Sequence, residues 1–478
     1  MVLLPALILY LPLRYNYFCV DDFYNLIIAA ETDSVGDLFR PVFQHLGPLL
    51  RLYFFALYRL FGLDYRAFFF SMLCVHLINT ILVYILLRRI FATPSVIFAA
   101  PFYAWNPLFY EALNWQTNIG QMLCMALILL TLIFLTRYWQ SGCRMKRWLV
   151  LSVFCCVLSM LAFSIGLLTP LFVLLYYYLV LKGSMRVDLR KDFKNLIGFF
   201  PAASAYLTCV FTRPHMGFGS FFSFKPLLLK YVAASVFCVL LPAFGGLGPF
   251  RIEAPPCFSL YLSCWLLLIL VIALTLRKDL NWKILSFASL YLLMNYAVHG
   301  TARLQQFGEE IAYWLRYQIF QVFGALVIAV ELSCAAARRF SARSSRSRIY
   351  LLIALQIFFL WRASAYIGTQ NAIYRERYGY EAIKRYIGNV RRSYALTEGK
   401  LGEGEKIYLA GGETVPEYVM PQTLRPLNEQ RHFLKIALPR GARISFNPRG
   451  HGQSQYRIDR SGVLIPTAIG NATPRSAR

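Results

Sequence analysis

Long apolar runs dominate the first three quarters of the chain. They lie near residues 1–20, 66–87, 93–105, 119–136, 148–163, 165–181, 196–211, 228–248, 257–276, 283–298, 314–335 and 349–366. A helix that crosses lipid needs about 20 predominantly apolar residues. The runs are continuous, whereas a membrane β-strand alternates inward and outward residues over about ten positions, so they predict helices. The run at 93–105 is short and carries Pro101, which predicts a partial span or one that borrows its neighbours. Residues 1–20 carry no charge before Arg14 and no A-x-A-like cleavage site follows; they are read as a retained first span.

Basic loops between the runs set the orientation. Residues 88–89, 137–147, 182–194 and 338–348 are rich in Lys and Arg, and the last holds Arg338, Arg339, Arg343, Arg346 and Arg348 with no acid. Such short loops face the cytoplasm. That places 21–65, 106–118 and the turn near 164 on the opposite side. Five runs separate loop 182–194 from loop 338–348, an odd number that cannot return the chain to the same side. The expected count is therefore 11 to 13 helices. The expected fold class is an all-α polytopic membrane protein with a small C-terminal α/β or β-rich soluble domain.

The pattern changes after Tyr366. Residues 371–390, "NAIYRERYGYEAIKRYIGNV", repeat aromatic and aliphatic positions three and four apart and predict a helix. Beyond it, "KIYLA", "HFLKIALP", "ARISF" and "GVLIPTAI" are separated by Gly, Pro and Asn, which predicts short strands. The domain reading is 1–366 for the membrane part and 367–478 for an extracytoplasmic domain, delivered to the outer side by the last span.

Composition narrows the function classes. Hydrophobic residues make up 58% and charged residues only 15%, far from the roughly 25% charged usual in soluble domains. Disorder, collagen and a secreted disulfide scaffold are excluded. The net charge of +26 has no nucleic-acid-binding fold to carry it, so membrane lipids and not nucleic acid are the expected partners. Most of the 11 cysteines lie inside apolar runs without CxxC spacing and read as small buried hydrophobes. Neither GxxxxGK[ST] nor GxGxxG after a strand is present, which disfavours nucleotide-driven chemistry.

Polar residues in the outer segments are the candidate chemistry. Asp21 and Asp22 follow directly on the first run. Two adjacent carboxylates repel, and they suit either a general base for an acceptor hydroxyl or a divalent cation; helix capping explains them equally well. Glu111, in "WNPLFYEALNWQTN" between Trp105 and Trp115, is a second outer acid. Arg303, Arg316 and Tyr317 lie in "HGTARLQQFGEEIAYWLRYQIF", and an arginine fork matches phosphate oxygens. His45 sits where the chain returns to the membrane. His76 and Asn79, one helical turn apart inside a span, read as glue between helices. The histidines offer no metal trio.

The order "VDDFYN", "HLGPLLRLYFFALYRLFG", "HLINTILVYILLRRI", "NPLFYEALNW" and, later, "YWLRY" resembles the integral-membrane glycosyltransferases of the GT-C superfamily. Within it, the resemblance is to polyprenyl-phosphate-sugar-dependent, mannosyltransferase-like proteins. It covers residues 1–130 well and thins through 131–313. The resemblance implies an inverting sugar transfer from a polyprenyl-phosphate-linked donor to a glycan, lipid or protein acceptor, outside a bacterial inner membrane. It implies that Asp21 or Asp22 matches the first-loop catalytic acid, Glu111 the second-loop acid, and Arg303 or Arg316 the phosphate-binding arginines. His45 and Tyr317 would join substrate binding. A divalent cation, Mg or Mn, is optional; Asp22 and Glu111 would be its ligands. No 34-residue helical repeat follows in 367–478. Competing readings are a membrane polysaccharide polymerase or ligase, which would keep its key residues in large late loops, and a multi-span transporter, which would show paired broken helices.

Overall fold

The computed structural model describes residues 2–19, 21–39, 47–91, 93–182, 195–211, 226–250, 255–339, 345–378, 380–399, 407–409, 437–438, 444–445, 455–458 and 464–466. Among them, six helices are long and apolar enough to cross a membrane: Tyr65–Ile90, Gln116–Gln140, Ser164–Leu181, Cys257–Leu276, Leu315–Arg339 and Tyr350–Arg377. The molecule is an all-α polytopic membrane protein, and the expected 11 to 13 spanning helices are corrected, among the described residues, to these six. The other apolar runs become shorter pieces for local reasons. Residues 93–105 break into Pro94–Phe98 and Ala99–Ala104, with prolines at 94 and 101. Residues 228–248 end at Phe244, just after Pro242, in a turn with Gly246 at φ 72°. The run at 283–298 sits in a helix, Trp282–Phe307, that continues through polar residues.

The expectation of a β-rich C-terminal domain is also corrected. The dominant described element there is the helix Tyr380–Glu398. The strand-like stretches contribute only two or three residues each: β1 Ile407–Leu409, β2 Ile444–Ser445 and β4 Leu464–Pro466, joined by β3 Gln455–Ile458 in the order β2-β1-β3-β4. Alternation in those stretches is too short to bury a sheet face of its own. They lean on the helix, where Leu464 N–H donates to Ser393 Oγ at 2.8 Å and Arg391 Nε to Ala437 O at 2.8 Å. The helix buries Tyr380, Ile383, Tyr386, Ile387, Val390 and Tyr394 along one face, the spacing of an amphipathic helix.

The chain forms two compact units. One comprises Met1–Leu13, Gly36–Leu50 and Phe69–Gln370, the other Arg14–Val35, Arg51–Phe68 and Asn371–Arg478. In the first, helix Ile119–Gln140 lies along Lys146–Ala162. A reversal at Gly142 and Cys143, at φ 63° and 61°, joins them, and Ser152 Oγ donates to Thr131 O at 2.7 Å across them. Helices Trp282–Phe307 and Ile319–Arg339 form a second antiparallel pair. The bland reading of His76 and Asn79 fits their contacts: His76 Nε2 lies 3.0 Å from Ala104 O, and Asn79 Nδ2 donates to Met122 O at 2.9 Å.

Arg89 Nη1 donates to Gln140 Oε1 at 2.7 Å, so helices Tyr65–Ile90 and Ile119–Gln140 have their C-termini at the same end. The chain between them must therefore climb back. The eleven residues Pro94–Ala104 cover about 16 Å as helix, and His76 meets Ala104 O thirteen residues before Arg89, about 20 Å along its own helix. The broken run is a partial span laid against Tyr65–Ile90. In the second unit, Tyr17, Phe23, Tyr65 and Phe68 pack edge-to-face around Phe18, with centroids 5.0 to 6.3 Å from its own.

The connection after Lys146–Ala162 is tight. A Cβ at Gly166 would collide with the backbone of Ser159 and lie 2.6 Å from Met160 N, whereas one at Gly368 would meet nothing within 4 Å. Backbone cannot rotate away, so Gly166→Ala is expected to lose about 1–3 kcal/mol of stability or more. Gly368→Ala, inside a helix, should be neutral or gain up to about 1 kcal/mol. Thermal unfolding of the purified variants in one detergent checks both.

Candidate functional site

Residues 105–115 bring an acid to the end of the first unit opposite Arg89 and Gln140. Asn106 sets the turn: its Oδ1 accepts Leu108 N–H at 3.1 Å, its Nδ2 donates to Phe102 O at 3.2 Å, and its carbonyl accepts Tyr10 Oη–H at 2.7 Å. The short helix Phe109–Asn114 follows, wholly buried. It packs against Leu315–Gln318, the turn that opens helix Ile319–Arg339. Glu111 and Arg316 meet there.

Arg316 holds Glu111 through two donors. Its Nη1 lies 2.6 Å from Oε1, and its backbone N–H donates to Oε2 at 3.3 Å. The side chains keep only 13% and 5% of their exposure. Removing two charges from water is costly unless they are paired and hydrogen-bonded, and both conditions are met. The guanidinium also lies 3.9 Å from the Trp115 ring centroid, 4.4 Å from Trp314 and 5.2 Å from Tyr317. Arginine stacks on aromatic faces, so the rings fix the plane of the fork and the fork fixes the carboxylate.

Polar side chains continue from the pair into the bundle. Tyr317 is buried with its ring 5.3 Å from that of His299. His299 Nδ1 lies 3.2 Å from Gln321 Nε2, and Tyr296 Oη–H donates to Gln318 Oε1 at 3.0 Å. The Tyr366 hydroxyl is within electrostatic reach of Glu111, and the Tyr366 ring lies against Gly248.

Asp21 and Asp22 belong to the second unit and have different surroundings. Both start the helix Asp21–Glu31. Asp22 is fully buried; its Oδ2 accepts Cys19 N–H at 3.2 Å while its own N–H donates to Cys19 O at 2.9 Å. That reciprocal pair satisfies two orphan groups at a helix start, as a capping box does. Asp21 is exposed, with its carbonyl accepting Asn25 Nδ2 at 2.9 Å. Capping therefore falls to Asp22, while Asp21 lies on the exposed side of the helix start.

Of the remaining expected site residues, His45 lies outside the described residues, as does the side chain of Arg303, whose backbone is in helix Trp282–Phe307. Trp115, Trp314 and Tyr366 were not anticipated as site residues. The aromatic–arginine–aromatic order of "YWLRY" is the signal for Trp314; Trp115 reads equally as an interface anchor, and nothing in the sequence singles out Tyr366. A divalent cation does not fit the residues present. No group of three or more His, Cys, Asp or Glu is placed to hold one among the described residues, Asp22 caps its own helix, and Glu111 is bound by Arg316.

Residues 47–210 match a family model described as dolichyl-phosphate-mannose-protein mannosyltransferase. No curated protein sequence matches the chain significantly. In structure the chain is similar to the oligosaccharyltransferase of Archaeoglobus fulgidus in complex with Zn and sulfate, at 13% identity and a TM-score of 0.47 over 92% of this chain. It spans only 62% of that protein's length. It is also similar to ArnT from Cupriavidus metallidurans bound to undecaprenyl phosphate, at 16% identity and a TM-score of 0.41, over 87% of this chain and 84% of that one.

The ion pair makes a stability prediction. Arg316→Met leaves a buried carboxylate without its counter-charge, which is expected to cost about 3–5 kcal/mol. The double variant Glu111→Gln/Arg316→Met removes both charges and should recover more than half of that loss. Thermal unfolding of the two variants against the parent protein measures the difference.

Proposed function

We propose that the chain is a membrane glycosyltransferase of the GT-C kind, moving a sugar from a polyprenyl-phosphate-linked donor to an acceptor on the extracytoplasmic side, with inversion. The observation that carries this reading is the buried Glu111–Arg316 pair, clamped by Trp115 and Trp314 at the end of the helices away from their basic termini. A carboxylate that orients substrate has to be fixed in place, and the arginine that grips both its oxygens does that. The family match over 47–210 includes Glu111 and supports the same donor chemistry. Cytoplasmic placement of Arg88, Arg89, Arg338 and Arg339 supports the sidedness, and puts region 367–478 outside.

In this reading Asp21 is the exposed acid suited to take a proton from an acceptor hydroxyl, and Asp22 holds its helix start. Glu111 orients substrate, Arg316 positions Glu111, and Tyr317 packs the wall behind them. His45 and Arg303 remain assigned to donor binding. No step is routed through a metal ion.

Sugar transfer from a labelled polyprenyl-phosphate sugar by purified protein tests the assignment. Loss of a general base costs about 10²–10⁴ in rate, so Asp21→Asn is expected to fall by that much while folding normally. Asp22→Asn should lower stability, with turnover per folded molecule reduced far less. Glu111→Gln is expected to reduce turnover per folded molecule as well. Near-parental turnover in both Asp21→Asn and Glu111→Gln would overturn the reading.

A further inference from the structure

The second unit gathers cations that its fold does not require. Arg14 follows the first apolar helix, Arg66 opens helix Tyr65–Ile90, Arg375 closes helix Ser345–Arg377, and Lys384 lies in helix Tyr380–Glu398. Three stretches distant in sequence thus contribute. Lys384 Nζ donates to Tyr15 O at 2.5 Å and sits 5.8 Å from the Tyr17 ring centroid. Arg14 Nη2 donates to Tyr15 Oη at 2.5 Å, with the guanidinium 4.6 Å from the ring centroid. Arg66 and Arg375 both act electrostatically on Lys384, and Arg66 also on Tyr15.

Acids do not balance the group. Glu381 serves two cations at once, Arg375 at 2.8 Å and Lys384 at 3.7 Å. Asp64 spends one oxygen on the backbone N–H of Arg66 at 3.0 Å. The exposed Arg66 guanidinium makes no hydrogen bond or ion pair among the described residues. Like charges held within about one Debye length repel, and burial pushes the Lys384 ammonium's pKa down. Such a cluster is costly unless an anion joins it.

Arg14, Arg66 and Lys384 meet at Tyr15, an aromatic residue 44% exposed, and Arg375 joins them through Lys384 and Glu381. Chains that merely snorkel to lipid phosphates extend away from the protein; here Lys384 and Arg14 are drawn inward onto Tyr15 and hydrogen-bonded there. Arg66 and Arg375 lie at the ends of their helices opposite Arg88–Arg89 and Arg346–Arg348. On the positive-inside rule both helices put this cluster outside, against the usual bias.

We propose that Arg14, Arg66, Arg375 and Lys384, with the Tyr15 ring as a stacking face, bind an anionic glycan bearing phosphate or sulfate groups, as the acceptor of the transfer reaction. The identity of the acceptor rests on the glycosyltransferase reading; the anion-binding surface does not. Arginine forks take the oxyanions and the ring takes a sugar face.

The test is binding, without donor or turnover, so that it stands apart from the transfer assay. Full-length protein in nanodiscs of uncharged lipid is titrated with a heparin-derived hexasaccharide as the anionic probe and with a neutral maltohexaose. The parent protein should bind the anionic probe and not the neutral one, with affinity falling as salt rises. Arg66→Gln and Lys384→Gln should each weaken binding by about tenfold, the scale of one charge-assisted contact. Arg392→Gln, an exposed cation outside the cluster, should leave binding unchanged, and the Arg66 site is exposed enough for its variant to fold. Equal binding by the parent protein and Arg66→Gln would overturn the proposal. So would binding that Arg392→Gln weakens as much as Arg66→Gln. If the substitutions instead reduce only attachment to vesicles containing anionic phospholipid, the surface meets a bilayer and the glycan proposal fails. Normal glycan binding in a protein without sugar transfer would leave this surface standing and remove the glycosyltransferase reading.

Discussion

A carboxylate inside a helix bundle with an apolar surface has to be paired within the protein, because neither lipid nor core supplies a counter-charge. Two such carboxylates organise the first unit. Glu331, almost fully buried, accepts Asn281 N–H and Arg338 Nη2, both at 2.8 Å. Arg338 reaches on to Asp279 O at 2.6 Å. That ties the loop before Trp282–Phe307 to the C-terminal turn of Ile319–Arg339, so the pair of helices closes at its basic end. Glu111 and Arg316 form the other pair, at the start of the second of those helices. Each closes one end of the same helix pair, and register errors between them would strand a charge.

The two pairs differ in what they leave over. The Arg338 side chain is 49% exposed and its partner only 2%, and the contacts of Glu331 are spent on a helix cap and a loop. Such an arrangement is structural, with the arginine facing solvent. At Glu111 both partners are buried, the cation is held by three aromatic rings, and the acid is gripped by a side chain and a backbone amide. Nothing in capping a short helix calls for that many constraints on one carboxylate.

Hydrophobic run length revealed that the chain is a helical membrane protein, and the candidate acids at 21, 22 and 111, together with Arg316, were legible from their positions beside apolar runs. Helix length was not. Apolar composition at 93–105 and 228–248 looks like spans because hydropathy does not register that the first run is divided into Pro94–Phe98 and Ala99–Ala104 and that the second stops at Phe244. Conversely, Trp282–Phe307 runs 26 residues through Gln305 and Gln306, which hydropathy reads as loop. The tail misled for a different reason. Short apolar stretches between glycines signal strands, yet they gain a sheet only by leaning on Tyr380–Glu398, and that contact joins residues about 70 positions apart, Ser393 and Leu464.

The adjacent carboxylates show how much local geometry adds to a motif. As a dipeptide, Asp21–Asp22 suggests shared charge or a shared cation. Successive residues at a helix start point about 100° apart, and here Asp22 turns back to Cys19 and is buried while Asp21 is exposed. A buried acid that accepts a backbone N–H is held in place, which suits a cap. An exposed acid at a helix N-terminus can exchange a proton with a substrate while the helix dipole stabilises its charged form. Neighbours in sequence thus divide the work, one building the helix start and the other lying exposed on the same rigid element.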